Sequence, residues 1–181
     1  MLQIMNALNE VWEQLIAEAA KNPQNIEQAG LAEFLAVKTA NDALRETSVR
    51  WLLDTMRNAA EHANLKQANI TIESADSHRF SMEKMHLAGA MIKFRQGIRC
   101  MTVEAGWTRT PSDGFMRGNA LAVARITHFG ISQENAELHL IKYEDRPQWF
   151  TVTKIGLRLS FEITDLIRHF QIFLGIVESR I

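Results

Sequence analysis

The hydrophobic period of this chain changes once, near Asn69, and that change sets the kind of fold it can adopt. Before Asn69, apolar residues recur every three or four positions; after it, they mostly alternate. Met5, Leu8, Val11, Trp12, Leu15, Ile16 and Ala19 fall on one helical stripe, with Glu10, Glu13 and Glu18 away from its centre. Asn22-Pro23 ends that helix, because the residue before a proline is pushed out of the α region. A second helix is expected from about Asn25 through Leu31, Phe34, Leu35, Val37 and Leu44, with Gly30 weakening its start. Thr47 or Ser48 can cap a third, which carries Trp51, Leu52, Met56 and Ala59 to about Leu65.

Beyond Asn69, Ile70 and Ile72 alternate with Thr71 and Glu73, as in a strand. Residues 82–94 fit a helix by their Met spacing and a strand by Ile92 and Phe94. From Arg99 to Arg109 the pattern is clearer: Met101, Val103, Ala105 and Trp107 share one strand face. Pro111-Ser112-Asp113-Gly114 reads as a turn, since proline presets φ and glycine accepts positive φ. Arg117–Phe129 is then expected to return as the second arm of a hairpin, although residues 119–126 also have helical propensity. A turn centred between Ser112 and Asp113 sets Met101, Val103, Ala105 and Trp107 opposite Ala124, Ala122, Ala120 and Gly118. Two more strands are expected at Glu137–Tyr143 and Gln148–Thr153, joined by Glu144-Asp145-Arg146-Pro147. Ser160 is expected to cap a last helix through Ile163, Leu166, Ile167, Phe170, Phe173, Leu174 and Val177. That helix is apolar around much of its circumference and should be buried on more than one side.

The expected fold class is α+β: an N-terminal helical layer of about three helices (1–66), then an antiparallel β-meander of four to six strands with a C-terminal helix packed on the sheet (67–181), all in one compact domain. With 46% hydrophobic residues the chain can bury a core, and its single cysteine, Cys100, excludes an internal disulfide scaffold. No run approaches the ~18 apolar residues of a membrane span, and the acidic start does not read as a signal peptide, so a cytoplasmic location is expected.

The formal net charge of −1 conceals a division. Residues 1–77 carry −5, residues 78–125 carry +5, and residues 126–181 carry −1. The central excess gathers Lys93, Arg95, Arg99, Arg109, Arg117 and Arg125 around Trp107. Arginines beside an exposed aromatic suit a nucleic-acid backbone with a stacked base, or an anionic small ligand. The alternative is that Trp107 belongs to the core and the arginines are solvated or pair with Glu73, Glu83 and Glu104. Candidate ligand- or anion-binding residues are therefore Arg95, Arg99, Trp107, Arg109, Arg117 and Arg125. His128, His139 and Tyr143, with one or more arginines, are candidates to line a pocket inside a curved sheet.

No catalytic constellation stands out. There is no Gly-x-Ser-x-Gly elbow, no phosphate-cradling glycine motif, and none of the six histidines has compact metal-ligand spacing. No metal or cofactor is expected. Residues 31–39 superficially resemble the start of a helix-turn-helix, but Asp42 and Arg45 fall where apolar residues are needed. The leading expectation is a non-enzymatic soluble binding or adaptor protein that self-associates and acts through protein–protein contacts. The alternatives are a nucleic-acid-associated protein using a basic face of the central sheet, and a small-molecule-binding enzyme or sensor with the pocket just described.

Overall fold

Between Asn25 and Leu65 there is no proline, and Gly30 is the lone glycine, so nothing in the segment forces the chain out of a helix. In the computed structural model, which describes residues 26–144, 146–153 and 155–176, this stretch is one helix, α1 (Ile26–Leu65). The expected break at Thr47–Ser48 is absent. Ala43, Leu44, Arg45 and Glu46 are strong helix formers that carry the helix through it. Ser48 is not a cap but a buried helical residue whose carbonyl accepts a bond from Trp149 Nε1 at 3.4 Å. The second and third expected helices are therefore one, and the helix-turn-helix resemblance at 31–39 has no turn. The first expected helix, over Met5–Ala19, and Val177 lie outside the described residues.

The chain divides into two units after Ala43. In the first, the described part of α1 holds a Lys38 Nζ–Asp42 Oδ2 ion pair at 3.0 Å, and Leu31, Phe34 and Val37 are exposed. The second unit holds the rest of α1 and everything after it.

At the end of α1 the Asn64 amide binds both backbone groups of Ile70, accepting from its N–H at 2.6 Å and donating to its carbonyl at 2.8 Å. This clamp turns the chain into β1 (Thr71–Met82), followed by β2 (Met85–Gln96), β3 (Arg99–Trp107), β4 (Ala122–His128), β5 (Ala136–Tyr143), β6 (Arg146–Val152) and β7 (Arg158–Ser160). Among the described residues these form one antiparallel sheet of seven strands in sequence order. The ambiguous residues 82–94 are the end of β1, a tight turn and most of β2. The turn at Glu144 is where it was expected.

The hairpin register differs from the expected one. Met101 pairs with His128, Val103 with Ile126 and Ala105 with Ala124, four residues further along the returning strand. An even shift leaves the same side chains on the same face. The reason is the connection: Pro111–Asp113 is a short 3-10 turn within a long excursion from Thr108 to Leu121, not the tip of a tight hairpin. On the β4 side the ladder ends at Gly106–Val123, so Trp107 does not pair with Gly118; its partner on the other edge is Ala88 of β2.

One face of the sheet carries Ile92, Phe94, Met101, Val103, Ala105, Ala124, Ile126, Leu138 and Leu140, all fully buried. They share a core with Val49, Leu52, Leu53, Met56 and Ala60 of α1 and with the second helix, α2 (Ile163–Leu174). Phe94 meets Phe170 edge-on at 6.0 Å and Phe173 at 6.2 Å between ring centroids. Contrary to expectation, α2 leaves Ile163 and Ile167 exposed. Ser160 ends β7 and does not cap α2; instead the backbone N–H of Glu162 donates to Asp165 Oδ2 at 2.8 Å. The other sheet face has a smaller cluster of Phe80, Met82, Met85, Leu87, Ala120 and Val123.

A register irregularity in β1 between Ala75 and His78 lies beside Gly89 of β2 and its partner Gly106 of β3. A Cβ on Gly89 would stand 2.0 Å from the Ala105 carbonyl oxygen. Backbone cannot yield as a flexible side chain would, so Gly89→Ala should cost at least ~3 kcal/mol. Urea unfolding monitored by circular dichroism would show this as a lower midpoint with an unchanged slope.

Candidate binding cleft around Trp107 and Arg109

The arginines of the central segment are mostly committed to the fold. Arg95 Nε lies 3.3 Å from Glu73 Oε1, and Lys93 is 4.0 Å from the same carboxylate. Arg117 pairs with Glu83. Arg125 binds Glu104 Oε2 through Nε at 3.1 Å and Nη2 at 2.5 Å, with its guanidinium 5.9 Å from the Phe80 ring. Arg99 donates to the Leu174 carbonyl, placing a cation at the C-terminus of α2 where the helix dipole favours it. Glu73, Glu83 and Glu104 are the three carboxylates named from the sequence as partners. Glu104 Oε1 also accepts from His78 Nε2 at 2.7 Å. Burial alone would raise the Glu104 carboxyl, but the bonds and charges of Arg125 and His78 outweigh it and hold it below its ordinary value.

Trp107 and Arg109 are brought together. Trp107 is buried, and the Arg109 guanidinium covers its ring at 3.8 Å from the centroid. The Arg109 backbone is held by Asp113, whose Oδ2 accepts from the N–H groups of Arg109 and Thr110 and from the Thr110 hydroxyl at 2.8–3.1 Å. The Thr110 backbone N–H, with its hydroxyl, keeps the Asp113 carboxyl below its ordinary value.

Arg109 stands between two clefts. One, of about 490 Å³, runs between α1 and the middle of β1 and β2, beside the end of β3. Its walls include Glu46, Arg50, Asp54 and Arg57 on α1, with Asp76, Trp107 and Arg109 opposite. The other, of about 500 Å³, has Phe80 and Leu87 among its lining residues, together with Arg79, His86 and Asp113. The first cleft carries three cations and three acids around an apolar base that includes Leu53 and Ile92, so it favours an occupant with both signs of charge.

The α1 contribution was not among the residues expected from sequence. A signal was present: Glu46, Arg50, Asp54 and Arg57 are spaced by four, four and three, which places them on one helical stripe. The eye is drawn instead to the apolar stripe of the same helix.

The three pocket candidates are not brought together. His128 points to the helix-covered face of the sheet, where its Nε2 lies 3.0 Å from His169 Nδ1 of α2 and the rings stack. His139 is in register with Val123 on the opposite face, its Nε2 3.0 Å from Glu137. Tyr143 is exposed and packs edge-on against Phe150. Among the described residues no group of three or more His, Cys, Asp or Glu side chains is arranged to hold a metal, and no helix is long and apolar enough to cross a membrane. No protein-family model, curated protein or solved structure matches the chain.

The histidine pair gives the fold a pH dependence. Burial, then the neighbouring His128 and Arg168, push His169 down to about 4, against the smaller opposing pull of Glu134 and Asp165. Burial also lowers His128. A histidine whose folded value lies below its unfolded one stabilises the fold above about pH 6.5 and loses that contribution as pH falls towards 4, because the unfolded chain binds the proton first. The loss should be on the order of 3 kcal/mol. Unfolding free energies measured at several pH values should fall over this window in the wild type and more shallowly in His169→Asn.

Proposed function

We propose that this chain is a non-enzymatic binding or adaptor protein that acts through protein–protein contacts and self-associates, in the cytoplasm. The observation that carries the reading is Trp51, a large aromatic left exposed on α1 beside the alternating row Glu46, Arg50, Asp54, Arg57. Tryptophan and arginine are over-represented where protein contacts concentrate their energy, and a surface with both signs of charge favours a protein over a polyanion. The commitment of Arg95, Arg99, Arg117 and Arg125 to internal partners supports the same choice over a basic nucleic-acid face. Light scattering on a sizing column, from micromolar to submillimolar protein, should give a mass rising towards twice the 20.6 kDa of one chain. A constant monomer mass would refute self-association.

The size of the α1 cleft favours a second reading, in which it takes a small ligand with an anionic group between Arg57 and Arg109 over the Trp107 edge. A panel of small carboxylates and phosphates should then raise the melting temperature of the wild type and not of Arg109→Ala. No shift with any member would set this reading aside.

A further inference from the structure

Resting on the self-association reading, we infer that the partner of α1 is the same segment of a second copy, packed antiparallel about a two-fold axis next to Trp51. The argument is one of charge register. In an antiparallel pair the residue numbers that face each other have a constant sum. Glu46 facing Arg57 and Arg50 facing Asp54 have midpoints only half a residue apart, about 0.75 Å of helix rise. One axis therefore serves both pairs, and symmetry doubles them to four contacts, every one between opposite charges. A parallel arrangement with the same residues facing would set each charge against itself.

The four side chains are available for this. Glu46, Arg50 and Asp54 are exposed and Arg57 is half-buried. Glu46–Arg50 and Arg50–Asp54 have the spacing at which Lys38 and Asp42 pair at 3.0 Å in the same helix, yet among the described residues none of the four makes an ion pair or hydrogen bond. Trp51 sits within one residue of the axis along the helix and, as an i,i+3 neighbour of Asp54, borders the charged stripe on its solvent side. An exposed aromatic beside complementary charge adds apolar contact at the border of such a pairing. The contact closes on itself, which predicts dimers and no larger species.

Charge exchange tests the register in the full-length protein. Sedimentation velocity would compare wild type, R50E, D54R and the double variant R50E/D54R, with circular dichroism and thermal unfolding confirming that each is folded. Each single reversal sets like charges together at two symmetric positions and should weaken the dimer roughly tenfold. The double variant restores opposite signs and should return close to the wild-type dissociation constant. W51S should weaken the dimer without changing its response to the charge exchange. A wild-type dimer that ignores R50E and D54R would overturn the register while leaving self-association standing. Single variants that weaken the dimer without rescue in the double would overturn the facing of Arg50 and Asp54. A wild type that stays monomeric would overturn self-association itself, and the α1 pairing with it.

Discussion

Strand alternation places Ile92, Phe94, Met101, Val103, Ile126, Leu138 and Leu140 on one face of the sheet, and none of them retains any exposure. At about 25 cal/mol per Å² of apolar surface, leaving that face wet would cost more than a domain of this size can spare. Covering it is the constraint on which the other features depend. Two helices from opposite ends of the chain supply the cover: α1 through Val49, Leu52, Leu53, Met56 and Ala60, and α2 through Leu166, Phe170 and Phe173. Because α1 spends that stripe on the core, its charged stripe is left along the cleft and its Trp51 side faces solvent. Because α2 covers the sheet near His128, His169 is buried against it and is held neutral.

The same sheet explains why several cations of the +5 segment have carboxylate neighbours. On the face away from the helices, antiparallel register puts Glu73 beside Lys93 and Glu104 beside Arg125. Cross-strand neighbours of opposite sign stabilise the pairing and cancel each other's field at the surface. Arg99 is neutralised differently, by the carbonyl end of α2, which is a partial negative charge rather than a carboxylate. The linear charge count names the carboxylates, but which cation each one meets is set by the strand register.

What could be read from the sequence follows the same logic. The α+β class, the strand at β3, the pair of strands around Glu144 and the C-terminal helix were legible because periodicity is local. The continuity of α1 is not legible at Thr47 and Ser48, because these residues are good caps only where the chain turns, and nothing around them makes it turn. The β3–β4 register differs by four residues from the one the turn implies, because a Pro-Ser-Asp-Gly turn need not be the tip of a hairpin, and the length of an excursion is not written in its turn residues. Of the candidate site residues, Trp107 and Arg109 are two apart in sequence and lie together. His128, His139 and Tyr143 were grouped by assumed strand proximity. The parity of the pairing sends His128 and His139 to opposite faces.

In the proposed dimer, α1 serves the fold through one stripe and a second copy through another. Four acidic and basic residues that alternate along a stripe contribute little to the stability of a single chain, since exposed pairs are worth at most about 1 kcal/mol and these are not formed. A core-facing helix needs only that its outer positions be polar; it does not need them to alternate in sign about a centre. The two-fold pattern of Glu46, Arg50, Asp54 and Arg57 is therefore unexplained by the folded chain alone. It is accounted for when a second helix with the same residues runs the other way.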